Sequence, residues 1–76
     1  MFAPATVMNG STGKSALLLQ TLLKGLGYLG ANTKPLTLDG EAGTNTIFAL
    51  KKYQGDHGLD ADGVAGPMTW AMIIGI

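Results

Sequence analysis

The sequence predicts a small all-α domain, a compact three-helix bundle, and three observations carry that prediction. Apolar residues return at three- and four-residue spacing in separate blocks. Most of the twelve glycines fall between those blocks and punctuate them. One turn, Asp-Gly-x-Ala-Gly-x-x-Thr, occurs twice, each time just ahead of a helical block. With 76 residues the chain makes one domain near the lower size limit, so a net stability of a few kcal/mol is expected.

The first element is a short arm over 1–8, with the domain proper over 9–76. The stretch "NGSTGKSALLLQ" invites a phosphate-loop reading. That loop needs a glycine five positions before Gly13, where Met8 stands, and it should follow a buried strand that "MFAPATV" does not resemble. The simpler reading is a helix start, with Ser11 or Thr12 as N-cap. Helix one is expected over about 14–26, with Ala16, Leu19, Leu23 and Leu26 on one face and Gly27 in the left-handed position after its end. Helix two is expected over about 44–57, carrying Ile47 and Leu50 inward, with Tyr53 and Gln54 near that face and Gly58 closing it. Helix three, about 67–74, opens with Pro67, whose missing N–H costs nothing there. Strand content should be negligible or confined to a pairing near Leu36–Leu38.

"DGEAGTNT" begins at Asp39, and "DGVAGPMT" follows at Asp62, 23 residues later. In each copy Asp-Gly makes a tight turn, with glycine tolerating positive φ. The second glycine, Gly43 or Gly66, becomes the N-cap, which puts Thr46 or Thr69 in the first helical turn. The threonine hydroxyl or the aspartate carboxylate could then satisfy the free N–H groups of the helix. Asp39, Gly40, Gly43, Thr46, Asp62, Gly63, Gly66 and Thr69 are therefore read as structural.

Composition narrows the function. The formal net charge is zero, from five Lys, no Arg and five unclustered acidic residues, which argues against a nucleic-acid partner. The apolar runs are too short for a membrane span, and no export signal is recognisable in this chain. There is no cysteine, hence no disulfide and no cysteine zinc site. One histidine, His57, beside Asp56 forms no catalytic set. A metal site from Asp56, His57, Asp60 and Asp62 lacks the ligand pattern of a calcium loop or a zinc site. No cofactor, metal or catalytic residue is expected.

"LLLQTLLKGLGYLG", "LDGEAGTNTIFALKKYQGDHGL" and "DADGVAGPMTWAMI" together resemble the type 1 peptidoglycan-binding domain, the three-helix module of many bacterial and phage cell-wall hydrolases. The matching positions include Gly10, Ser11, Gly13, Leu19, Gln20, Leu26, Gly27 and Tyr28. Both Asp-Gly turns match as well, with Ala49, Gln54, Gly58, Leu59, Pro67 and Trp70. The resemblance implies a non-catalytic module that binds glycan strands or stem peptides and targets an associated hydrolase, such as an endolysin, amidase or muramidase. It implies a place at the bacterial wall, in the periplasm or outside the cell. Where the resemblance leads us to expect other residues, Lys14 replaces an acid, Ala42 a phenylalanine, and Leu50 and Tyr53 replace Val and Phe.

A shallow wall-binding groove needs an aromatic platform and amide or hydroxyl groups. Tyr28, Trp70, Gln20, Gln54 and Asn45 are the candidates, although Tyr28 and Trp70 suit a core equally and Gln54 could tie its helix to the Asp-Gly loop. Leu18, Leu22, Ile47 and Phe48 exceed what so small a core can bury and suggest a partner surface. The competing function is a docking or structural module that packs against a catalytic domain. A single module should bind its wall ligand weakly, at about −4 to −6 kcal/mol, and tethering to a polymer makes weak binding sufficient.

Overall fold

The computed structural model describes residues 4–75, so Met1, Phe2 and Ala3 of the expected arm, together with Ile76, lie outside the described residues. Three helices follow in order, α1 (Lys14–Gly25), α2 (Thr44–Asp56) and α3 (Pro67–Ile74). Leu19, Leu23, Leu50, Tyr53 and Trp70 form the heart of the core, with Ala16, Ala42, Ala49 and Ala65 where elements approach closely. Each fully buried leucine contributes about 1.5–3 kcal/mol.

The helix ends follow from glycine. Gly13 is the N-cap of α1 at φ 111°, a conformation that a side chain strains. Neither Ser11 nor Thr12 caps α1, contrary to expectation. The Ser11 hydroxyl instead accepts the Met8 N–H at 3.0 Å. After α1 the Gly27 N–H reaches the Lys24 carbonyl and the Tyr28 N–H the Leu23 carbonyl, both at 3.0 Å, with Gly27 at φ 90°. This is a Schellman ending. The helix therefore stops at Gly25, and Leu26, expected in the core, lies beyond it and is 57% exposed.

No extended strand forms among the described residues. Single antiparallel bridges join Val7 to Ala65, Thr12 to Glu41 and Leu29 to Pro35, so strand content is negligible, as expected, and one of the bridges lies beside Leu36. The arm and the residues just after it touch both Asp-Gly turns at the same place in the motif. Val7 and Ala65 exchange backbone bonds of 3.2 and 2.8 Å, while Ala42 bonds Gly10 and Ser11 at 2.8 Å each. One short stretch thus straps the two turns side by side, and buried Val7 fastens it to the core.

Candidate functional site

The two turns are copies in space as well as in sequence. Gly40 and Gly63 both sit at φ 74°. The N-caps Gly43 and Gly66 both have φ −93°, with ψ −164° and −165°. A buried glutamine holds each turn. The Gln20 amide nitrogen donates to Asp39 Oδ1 at 3.0 Å, the Glu41 carbonyl at 2.9 Å and Thr46 Oγ1 at 3.0 Å. Its oxygen accepts the Gly40 N–H at 2.9 Å. Gln54 repeats the set with Asp62 Oδ1 at 3.3 Å, the Val64 carbonyl at 3.0 Å, Thr69 Oγ1 at 3.2 Å and the Gly63 N–H at 3.0 Å. The donation from the glycine N–H fixes which way each amide points, since the reverse orientation would face two donors.

The threonine and aspartate do not cap the helices, contrary to expectation. Neither α2 nor α3 has a side-chain cap hydrogen bond. A glutamine arriving from another helix offers donor and acceptor together, so these oxygens turn towards it. Asp39 Oδ1 also accepts the Glu41 N–H at 2.9 Å. That backbone bond, and then Gln20, holds the Asp39 carboxyl below the ordinary carboxylate range.

The other expected ligand residues are dispersed. Trp70 is buried, and its ring N–H donates to the Ala5 carbonyl at 3.0 Å. Tyr28 is half-buried and stands edge-on to Tyr53 with centroids 5.7 Å apart. Its hydroxyl donates to Asp56 Oδ2 at 2.9 Å. Burial, followed by that bond to a negatively charged neighbour, raises the Tyr28 pKa. Asn45 is exposed, and its Oδ1 accepts the Asn32 N–H at 3.3 Å. Asn45 lies near the start of α2 and Asp56 at its end, so about 16 Å of helix separates Asn45 from the partner of Tyr28. The five candidates therefore do not meet in one groove.

The apolar candidates divide as well. Leu18, Leu22 and Ile47 are half-buried against the core, whereas Phe48 is 50% exposed. The exposed apolar residues that sequence reasoning missed include Met8, Leu29, Leu38, Met68, Met72 and Ile74, while Leu17, expected to exceed the core, is exposed. Met68 and Met72, four apart on α3, share its outer face, and that spacing was available in the sequence. Among the described residues no group of three His, Asp or Glu could hold a metal ion. His57 stacks on Tyr53 at 4.1 Å.

Surface grooves lie among the described residues. One of about 390 Å³ lies between the end of α2 and the start of α3, with Leu59, Pro67 and Met68 in its wall. Its counterpart at the first turn is about 150 Å³ and polar, with Asn32, Thr44 and Asn45. The third, about 510 Å³, runs between the arm (Met8, Asn9), α2 (Ile47, Phe48, Lys51) and the second turn (Val64).

Every buried side-chain polar atom among the described residues has a hydrogen-bond partner, so such groups are committed to structure and only the exposed faces are available for contact. The structure is that of a small three-helix domain. The chain belongs to the family described as putative peptidoglycan binding domain, whose family model matches residues 12–73. It is 38% identical over 68 residues to the zinc D-Ala-D-Ala carboxypeptidase of Streptomyces albus G, covering 90% of this chain and 26% of that enzyme. The solved SleB N-terminal domain superposes with a TM-score of 0.85 at 31% identity, covering 99% of this chain and 96% of that one. A Burkholderia AP3 phage endolysin gives 0.80 at 35% identity, covering 91% of this chain and 24% of the endolysin. The chain thus spans about a quarter of the carboxypeptidase and of the endolysin.

Proposed function

We propose that this chain is a non-catalytic wall-binding module that holds an associated hydrolase on peptidoglycan, at the bacterial wall and outside the cytoplasmic membrane. The observation that carries the reading is the family match over residues 12–73. Relatives named as an endolysin, a spore cortex-lytic enzyme and a D-Ala-D-Ala carboxypeptidase, in which this unit is a minor part of the length, support the pairing with a hydrolase. No helix among the described residues is long and apolar enough to cross a membrane. The commitment of His57 and Asp56 to Tyr53 and Tyr28 supports binding without catalysis.

Cosedimentation with purified sacculi tests this. The protein should pellet saturably, in the range of about 40 micromolar to one millimolar, and release no soluble fragments. A protein left in the supernatant, or one that solubilises the wall, would contradict the proposal. A second reading, docking against a catalytic domain, is favoured by α3. There Met68 is 74% and Met72 45% exposed, an apolar face beside the Leu59 groove. The two readings are compatible, because the wall and the enzyme could occupy different faces.

A further inference from the structure

Resting on the wall-binding reading, we propose that the groove between the N-terminal arm and α2 seats the glycan strand, with a sugar ring stacked on Phe48. Among the described residues, Phe48 is the aromatic residue that the fold leaves most available. It is 50% exposed, against 2% for Tyr53 and 4% for Trp70, and Tyr28 has its edge on Tyr53 and its hydroxyl on Asp56. The expected platforms, Trp70 and Tyr28, thus serve the core and its margin, and Phe48 takes over the platform role.

The surroundings of Phe48 suit a sugar. A pyranose ring presents a flat C–H face to an aromatic ring, whose electron-rich surface attracts it, and carries hydroxyl and acetamido groups around its edge. The groove has the same layout. Met8 and Ile47 extend the apolar floor, and Asn9, Thr44 and Lys51 bring an amide, a hydroxyl and an ammonium group to it. The Lys51 stem lies across Gly63, where an added Cβ would be 2.9 Å from Lys51 Cε. At about 510 Å³ the groove falls within the ordinary range of ligand sites.

The same groove is poorly suited to a stem peptide. An extended peptide is held through a row of free backbone groups, and several of those beside the groove are already paired. Val7 uses both its N–H and its carbonyl on Ala65, Met8 N–H bonds Ser11, and Gly10 N–H bonds Ala42. Lys51 and Asp62 bring opposite charges to the lining, so the groove has no excess of positive charge with which to select an acidic peptide.

The test uses the whole 76-residue protein, amidase-stripped glycan strands, free stem peptide and intact sacculi. With glycan strands, saturable amide shifts should centre on Met8, Asn9, Phe48 and Lys51, and stem peptide should leave them in place. Phe48→Ala should weaken glycan and sacculus binding about tenfold with little change in unfolding temperature, and Phe48→Trp should restore it. The proposal is overturned if Phe48→Ala binds both ligands like wild type, if stem peptide moves the same amides, or if glycan strands do not bind although sacculi do. In those cases the wall-binding reading stands. Failure of the wild-type protein to bind sacculi removes both.

Discussion

The first and second Asp-Gly turns share one internal framework and present different outer surfaces. Asp39 and Asp62, Gly40 and Gly63, Ala42 and Ala65, Thr46 and Thr69, and the glutamines that grip them are the same residues in the same bonds. The outward positions differ, with Glu41 against Val64, Thr44 against Pro67 and Asn45 against Met68. The groove at the first turn is accordingly small and polar, and the one at the second is larger and lined by Leu59 and Met68. The repeated positions are those the fold requires. What distinguishes the outer surface of one turn from that of the other lies in the residues around this shared frame.

The most damaging way to break this equivalence is to remove a glutamine. Gln20→Ala deletes four hydrogen bonds and strands buried partners, a loss of about 3 kcal/mol or more. In a domain this small that should leave little or no cooperative thermal transition by circular dichroism. Gln54→Ala should cost somewhat less, because its contacts to aspartate and threonine are longer, 3.3 and 3.2 Å against 3.0 and 3.0 Å.

The paired glycines sharpen the comparison. Alanine at Gly40 or Gly63 must adopt φ 74°, at a cost of about 1–2 kcal/mol. Gly63→Ala should cost more in urea unfolding, since its Cβ would lie 3.0 Å from the Ile47 Cγ2, whereas at Gly40 the nearest atom is the Gly13 carbonyl oxygen at 3.4 Å. A smaller loss, about 1 kcal/mol, is expected for Trp70→Phe, which removes the bond to the Ala5 carbonyl. Hydrogen exchange should then quicken at Val7 and Ala65.

The smallest effect concerns acid. Because the folded state holds the Asp39 pKa below its unfolded value, Asp39 adds stability above the ordinary carboxylate pKa of about 4. That contribution is lost as pH falls through the lower, folded value. Asp39→Asn should therefore flatten the acid limb of a stability–pH curve while leaving the neutral protein folded.

Much of this fold was legible in the chain because glycine and proline mark its boundaries. The repeat located both turns, Pro67 opened α3, and Gly27 and Gly58 ended α1 and α2, each at positive φ. The distribution of apolar residues was harder to read. Leu17, Leu18, Leu19, Leu22 and Leu23 spread around α1 and Leu26 follows its end, and periodicity alone could not say that Leu18 and Leu22 tuck against the core while Leu17 and Leu26 stay out. Residue type misdirected the site. Trp70, Gln20 and Gln54 have suitable chemistry for a ligand, but buried hydrogen bonds to remote loops engage them, and a single sequence does not display such contacts. Phe48 belonged among the apolar candidates from the start. Its place in a groove depends on the arm crossing to Ala65, a contact between residues far apart in the chain.

In the proposed function the glutamines hold the frame while the outward faces meet the wall. The direct measurement follows the side-chain amide signals of Gln20 and Gln54 by NMR while solubilised peptidoglycan fragments are titrated into the protein. The account predicts that backbone amides along the exposed face of α2 shift and saturate while both glutamine signals stay fixed. Glutamine side-chain signals that shift first and furthest, with the α2 face unchanged, would contradict it.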